Sequence, residues 1–291
     1  MKTKIKTVIL LFNLLFLINN TSFSQIRCET LFTPTDYAYA QNRTQIILSQ
    51  LPQDSIISLP QINKTLSIAI HIVKDSIGEV NVDTVDIYAE INNTSDLFKP
   101  ISLSFRVCSV DTIDNFQYDD LKFNSFTTVY EEQQIVNLFY VDSLINIYVV
   151  RSSIPTSIGK SHDNYIIVCK ENLNTIPHLM GHVFGLLHTS GNGDHAELAD
   201  ESNCLTAGDF VCDTEADPEF DPVTSTLWYY EDNCELKSWP NPYPLKDTND
   251  NWYKIPSYNY MSLYSNCWCQ LTKFQYQIIA YEYYLHKTYL R

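Results

Sequence analysis

The sequence has few positive charges. Its 291 residues include 19 lysines and arginines against 34 aspartates and glutamates, which gives a formal net charge of −15. A protein that binds nucleic acid needs a basic surface to meet the phosphates, so this composition excludes nucleic acid as the expected partner. Acidity of this degree suits solubility outside the cell, and it makes calcium a candidate ion.

Internal repeats, low-complexity tracts and a second long hydrophobic run are also absent from the sequence. The single long run, residues 8–18, follows three lysines and precedes small and polar residues. We predict that residues 1–25 form a secretory signal peptide, because the run is short for a bilayer and contains Asn13. An uncleaved membrane anchor is the alternative. Removal of the signal takes away three lysines, leaves a net charge of −18, and leaves no expected membrane span.

The chain contains eight cysteines. In an exported chain of this size they are expected to form disulfides rather than to stay reduced. We therefore expect a secreted, extracellular protein with cross-links whose connectivity the spacing does not give.

The pattern along the chain predicts one domain preceded by a short lead-in. Residues 26–64 carry several prolines around an expected helix at 38–51, which is typical of a lead-in or pro-segment. The domain, residues 65–291, begins where strand-like alternation starts. We expect strands at 66–73, 101–110, 144–150 and 164–168, an amphipathic helix at 83–97 and a last helix at 272–286.

Three histidines in one short stretch predict a metal site. His178 and His182 are four residues apart, so on a helix their imidazoles face the same way. Gly185 lets the backbone leave the helix, and His188 follows as a third ligand. Three imidazoles leave one tetrahedral position for water, which suits zinc. Surface histidines on an amphipathic helix are the alternative, and the spacing around Gly185 makes it the weaker one.

This stretch resembles the metzincin zinc-peptidase signature, H-E-x-x-H-x-x-G-x-x-H, in which glutamate is the general base. Leu179 occupies the glutamate position and cannot accept a proton. A second resemblance is the segment around Met261, which is similar to the Met-turn beneath the metzincin zinc. The resemblance implies an α+β fold: a mixed sheet with the active-site helix, and an irregular lower subdomain that carries Met261.

Two further segments are similar to the pappalysin family of metzincins. Residues 208–215, Gly-Asp-Phe-Val-Cys-Asp-Thr-Glu, resemble its Gly-Asp-x-Val-x-Asp-Thr-Pro loop. Residues 27–30, Arg-Cys-Glu-Thr, resemble a pro-segment motif whose cysteine, here Cys28, occupies the zinc's open position as a switch; a disulfide is the alternative for Cys28. The resemblance also implies cross-links in the lower part, with Cys204, Cys212, Cys234 and either Cys267 or Cys269 as candidates.

The departures from the family decide the expected function. Besides Leu179, Leu263 stands where the family usually has a tyrosine near the zinc, and Tyr264 is one position late. We expect a zinc-binding pappalysin-like homologue that is catalytically impaired and holds peptide or protein in its cleft. The alternatives are an active endopeptidase and a purely structural zinc site. For the endopeptidase, the candidate substitute bases are Asp194, Glu197 and Asp200. The sequence leaves the oligomeric state open.

Overall fold

A computed structural model describes most of the chain. The described residues are 27–28, 30, 32–51, 58–121, 126–151, 157–162, 164–191, 196–218, 246–254, 256–263 and 267–291. The signal peptide predicted for residues 1–25 lies outside them.

The centre of the molecule is a six-stranded mixed sheet, as expected. Its strands are β1 (Arg27–Cys28), β2 (Lys64–Val73), β3 (Leu103–Ile113), β4 (Ile145–Val150), β5 (Ser157–His162) and β6 (Tyr165–Cys169). The spatial order is β1-β5-β6-β4-β2-β3. The four strands β6, β4, β2 and β3 are parallel, β5 is antiparallel to β6, and β1 pairs in parallel with β5.

Burial explains which strands are central. Every residue of β4 is buried, and so are the last eight residues of β2. A parallel strand covered on both faces is expected to be a nearly continuous run of β-branched and apolar residues, which is the composition of both strands. β3 pairs on one side only, so it tolerates exposed polar residues. It runs from Leu103 to Ile113, beyond the end predicted at residue 110.

Five helices surround the sheet in the described part of the chain. They are α1 (Pro34–Gln50), α2 (Thr84–Phe98), α3 (Phe126–Phe139), α4 (Ile176–Val183) and α5 (Lys273–Glu282). Capping fixes several starts: Thr33 and Asp36 form a capping box before α1, and Asp83 accepts from a backbone amide at the start of α2. A 3₁₀ turn, Lys170–Thr175, leads directly from β6 into α4.

Between α4 and α5 the described residues form mostly turns and bends. One disulfide, Cys204–Cys212, closes a loop of this region. Within the described residues, no helix has the length and apolar character that a membrane crossing needs. The pattern of residues 126–139 did not predict α3, and the two short strands β1 and β5 were also missed. β1 pairs with β5, which is distant in the chain, whereas β5 also pairs with β6, the next strand along the chain.

A buried ion pair joins the sheet to the segment that leads into α4. Lys170 Nζ lies 2.7 Å from Asp119 Oδ1 and also donates to the carbonyl of Val73. Both side chains are at most 4% exposed. Removing one partner of a buried pair leaves the other charge without compensation, which typically destabilises a protein by about 3–5 kcal/mol.

We expect Lys170→Met to lower the free energy of unfolding by about 3–5 kcal/mol in chemical denaturation. Lys74→Met is the matched control, because the Lys74–Asp114 pair is 3.8 Å long and its side chains are 28% and 82% exposed. Exposed pairs contribute about 0–1 kcal/mol, so the control should change little. Equal losses in the two variants would contradict this account of Lys170.

Candidate metal centre

Helix α4 and the turn after it bring three imidazoles together. His182 Nε2 lies 3.1 Å from His178 Nε2 and 3.1 Å from His188 Nε2. His178 and His182 are one helical turn apart on α4, and all three side chains are buried. The structure therefore assembles the three predicted ligands with the same nitrogen of each ring pointing to a common centre.

Backbone carbonyls fix which nitrogen of two rings carries the proton. His178 Nδ1 lies 2.5 Å from the carbonyl oxygen of Tyr260, and His182 Nδ1 lies 2.8 Å from that of Leu186. A carbonyl oxygen can only accept, so both Nδ1 atoms donate and both Nε2 atoms carry a lone pair. Two lone pairs that face each other at 3.1 Å in a buried site repel unless a cation lies between them.

Burial keeps these imidazoles neutral. It lowers the pKa of His178 to about 4 and holds the pKa values of His182 and His188 well below their usual range. Repulsion among the three rings lowers the pKa values of His182 and His188 further. Metal ions bind the neutral imidazole, so the site is ready for a metal at neutral pH.

Cys28 completes a group of four donors. Its Sγ lies 3.6 Å from His182 Nε2, and the four donor atoms all lie within 4.8 Å of one another. The strand that carries Cys28, β1, runs beside β5 at the edge of the sheet. Phe32 then covers the group, with its ring edge-on to His182 and His188. Three imidazoles and a thiolate are a donor set that fits tetrahedral zinc.

Met261 lies beneath α4. It is fully buried, and its side chain contacts the helix at Gly181, where a Cβ atom would overlap the methionine sulfur. The carbonyl of Met261 accepts from Thr189 N at 3.0 Å, next to the third histidine. The turn that carries Met261 is thus attached to both ends of the histidine stretch.

Trp268 is part of the site, and the sequence reading missed it. Its indole stacks on His178 with ring centroids 4.7 Å apart and an angle of 5° between the planes. Its Nε1 donates to the carbonyl of Ser262 at 2.9 Å. No spacing in the sequence links Trp268 to a histidine ninety positions earlier, so only the fold could place it there.

Leu179 is an apolar residue at the position between the first two histidines where the signature has its base. It is 0% exposed and belongs to the main apolar core, together with its neighbour Met180. Leu263 is half-buried, and Tyr264 lies outside the described residues. The described part of the metal group contains no carboxylate.

Of the three candidate substitute bases, Glu197 and Asp200 are described, and neither is in the metal group. Asp194 lies outside the described residues. Asp200 is exposed and accepts from the backbone and hydroxyl of Ser202 in its own turn. Glu197 is buried against Gly208 instead.

Glu197 belongs to a buried acidic region. Both of its carboxylate oxygens, and one oxygen of Asp217, have no hydrogen-bond partner among the described residues. Burial raises the pKa of Glu197 to about 8 and that of Asp217 to about 7, and it holds the pKa of Asp209 well above its usual range. Carboxylate oxygens are the donors that calcium prefers. These acids are donors of the kind that calcium binds, but the described residues do not bring three or more of them together as they do the three histidines and Cys28.

The remaining candidate cysteines differ in their surroundings. Cys204 and Cys212 form the disulfide already described, and Cys267 is also disulfide-bonded. Cys269 is an exposed thiol, and Cys234 lies outside the described residues.

Comparisons with known proteins give two weak likenesses. No family model and no curated protein matches the chain. Among solved structures it is similar to a chaperone–substrate complex, with a TM-score of 0.31 and 13% identity over 54% of this chain and 33% of that one. It is also similar to metalloproteinase-II from Bacteroides fragilis, with a TM-score of 0.31 and 12% identity over 67% of this chain and 61% of that one. The chain thus covers less than two thirds of either protein, and neither likeness identifies what it does.

Gly185 is needed for the turn between the second and third histidines. Its φ is +78°, and an added Cβ would lie 2.7 Å from Arg43 Nη1 and 2.9 Å from Glu282 Cγ. Gly78 has a similar φ of +87° but no atom within 4 Å of an added Cβ. An alanine at Gly78 would therefore introduce backbone strain alone, whereas an alanine at Gly185 would introduce both strain and steric overlap.

We expect Gly78→Ala to lower the free energy of unfolding by about 1 kcal/mol, the strain of a left-handed alanine. Gly185→Ala should lower it by about 1–3 kcal/mol more, because the methyl group must also displace packed atoms. Urea denaturation of both variants measures the difference. Similar losses would show that the turn has room that the distances do not indicate.

Proposed function

We propose that this protein is a secreted, zinc-binding, pappalysin-like metallopeptidase homologue that is catalytically impaired and binds peptide or protein in its cleft. The observation that carries the proposal is the convergence of His178, His182, His188 and Cys28, with an apolar residue at the base position. The disulfide Cys204–Cys212 is compatible with an extracellular location, and residues 1–25 have the pattern of a signal.

Zinc is the ion that these donors fit best. Nitrogen and thiolate ligands in a tetrahedral set favour zinc over the hard ions that prefer oxygen. When bound in a site of this type, zinc supplies a Lewis acid and lowers the pKa of a bound water. The chain's own part is to hold His178 and His182 through the carbonyls of Tyr260 and Leu186.

The impairment follows from Leu179. A peptidase of this type needs a group that takes a proton from water and returns it to the leaving amine, and a leucine can do neither. General acid–base assistance is typically worth about 10² to 10⁴ in rate. None of the described acids reaches the metal group as a substitute.

Cys28 defines how a ligand would enter. β1 pairs with β5 at the edge of the sheet, and without β1 the strand β5 would be the edge to which an extended peptide could add itself. A peptide ligand would therefore pair with β5 after residues 27–28 have left it. Its carboxylate or carbonyl groups would then take the position of the Cys28 sulfur.

A structural metal is the second candidate function. Structural zinc sites have four protein ligands, whereas catalytic sites keep one position for water. The cluster of three histidines and Cys28 supports the closed type, in which metal binding contributes to folding. The active endopeptidase is the weaker alternative, because it needs a base that the described residues do not supply.

Peptide cleavage tests the proposal against both alternatives. All samples carry Cys28→Ser so that the fourth position is accessible, and zinc content is measured for each. We expect the protein with native Leu179 to cleave a diverse peptide pool no faster than a His178→Ala control. Adding Leu179→Glu should create chelator-sensitive cleavage, whereas Leu179→Gln, similar in shape but without a base, should not.

Each other result selects an alternative. Chelator-sensitive cleavage by the native-Leu179 protein would show an active peptidase with an unconventional base. A zinc-loaded, folded Leu179→Glu variant that stays inert would favour the structural metal. Failure of the native protein to bind zinc at all would refute the proposal.

Calcium is proposed as a second ion, bound by the buried acids around Glu197. We expect calcium at about 100 times its dissociation constant to stabilise the fold by about 2.7 kcal/mol, seen as a higher melting temperature. Glu197→Gln should remove most of this gain, because it removes the charge and keeps the shape. Glu215→Gln changes an exposed acid of the same region and is the control. A full calcium effect in Glu197→Gln would exclude this site.

A further inference from the structure

We infer that Arg43 is a positioning residue for the metal centre, and that helix α1 is consequently a permanent part of the metal-binding fold. The inference rests on the proposed function in so far as that function names the metal site. It divides the lead-in into two parts with different roles: Cys28 and Phe32 contact the histidines, and α1 supports the turn between the second and third histidines.

Arg43 joins three elements inside the protein. It is 2% exposed, and its Nη1 donates to the carbonyl of Gly185 at 2.8 Å and to Glu282 Oε1 at 2.9 Å. Gly185 lies in the turn after α4, and Glu282 is the last residue of α5. A guanidinium can hold a carbonyl and a carboxylate together because its donors are fixed in one plane.

The turn that Arg43 holds also orients the metal donors. Gly185 N donates to the carbonyl of His182 at 2.8 Å, and Leu186 N donates to that of Gly181 at 3.0 Å. The carbonyl of Leu186 in turn accepts from His182 Nδ1. Displacement of the Gly185–Leu186 peptide would therefore rotate the His182 ring and move the chain that leads to His188.

Other contacts of α1 attach it to the same region. Tyr37 Oη donates to the carbonyl of Gly191 at 3.1 Å, and Gln41 Nε2 donates to that of Leu205 at 3.2 Å. Ile47 belongs to the main apolar core. α1 thus contacts the chain just after the third histidine, at Gly191, and again at Leu205. Thr33 caps the start of α1, immediately after Phe32. The cap of α1 is therefore formed without residues 27 and 28.

Glu282 makes the arrangement depend on charge. Its side chain is 7% exposed, and besides Arg43 it accepts from the hydroxyl of Tyr39 at 3.0 Å. His286 Nε2 lies 4.0 Å from its other oxygen and is exposed. Without Arg43 a buried carboxylate would face the carbonyl of Gly185 and push the turn away.

Cobalt substituted for zinc in the full chain gives a direct test. Absorption of the bound ion reports the coordination geometry and thiolate ligation, and titration against a chelator gives the affinity. We expect Arg43→Met and Arg43→Lys to weaken cobalt binding by about 10–100-fold, the usual effect of losing a residue that orients a metal ligand. Arg43→Lys keeps the charge beside Glu282 but not the planar pair of bonds, so it remains decisive if Arg43→Met does not fold.

Lys74→Met is the control, since it breaks an exposed ion pair that does not contact the Gly185 turn. Its cobalt affinity and spectrum should equal those of the wild type. Hydrogen exchange in metal-free protein supplies a readout besides metal binding. Peptides that cover residues 178–190 should exchange faster in Arg43→Lys than in either the wild type or Lys74→Met.

The outcomes separate this inference from the proposed function. If the wild type binds cobalt and Arg43→Lys has the same affinity, spectrum and exchange, the role of Arg43 is refuted. The metal site is then still supported. Absence of cobalt and zinc binding in the wild type would refute the proposed function. In that case faster exchange of residues 178–190 in Arg43→Lys would still support the role of Arg43, and unchanged exchange would refute it.

Discussion

Two imidazole lone pairs that face each other in a buried site are the constraint on which the rest of this structure depends. His178 and His182 each donate Nδ1–H to a carbonyl, so their two unprotonated Nε2 atoms face each other. These two nitrogens are 3.1 Å apart. Without a cation this arrangement is repulsive and poorly solvated. The surrounding residues hold the two rings in this arrangement. They are the buried helix α4, Met261 beneath it, and the rings of Phe32 and Trp268 beside the histidines.

The orientation of the rings comes from distant parts of the chain. Tyr260, from the segment just before Met261, holds His178, and Leu186, from the turn supported by Arg43, holds His182. The metal site therefore depends on contacts among the lead-in, α4 and the C-terminal segments. A single helix with the right spacing would have the ligands but not their orientation, because an imidazole can rotate about its bond to the backbone.

Prediction from sequence succeeded where the signal is local. The spacing of the three histidines, the glycine that ends the helix and the apolar runs of β2 and β4 each follow from neighbours in the chain. Arg43, Trp268 and the pairing of β1 with β5 follow from contacts between residues ninety or more positions apart. A buried arginine in a helix of the lead-in gives no sign in the sequence of what it will contact, because its partners are a backbone carbonyl and a glutamate on another helix.

The replacement of the base and the position of Cys28 are physically compatible in a way that matters for function. A catalytic site must exchange its fourth ligand for water, and it needs a nearby group to take the proton. If the four donors hold zinc as proposed, Leu179, which packs into the core, supplies no such group, and water at the metal would lack a base. Displacement of the Cys28 thiolate by another donor would then be the exchange left to this site. Thr33 and Asp36 form the cap of α1, so that exchange would leave the start of the helix capped.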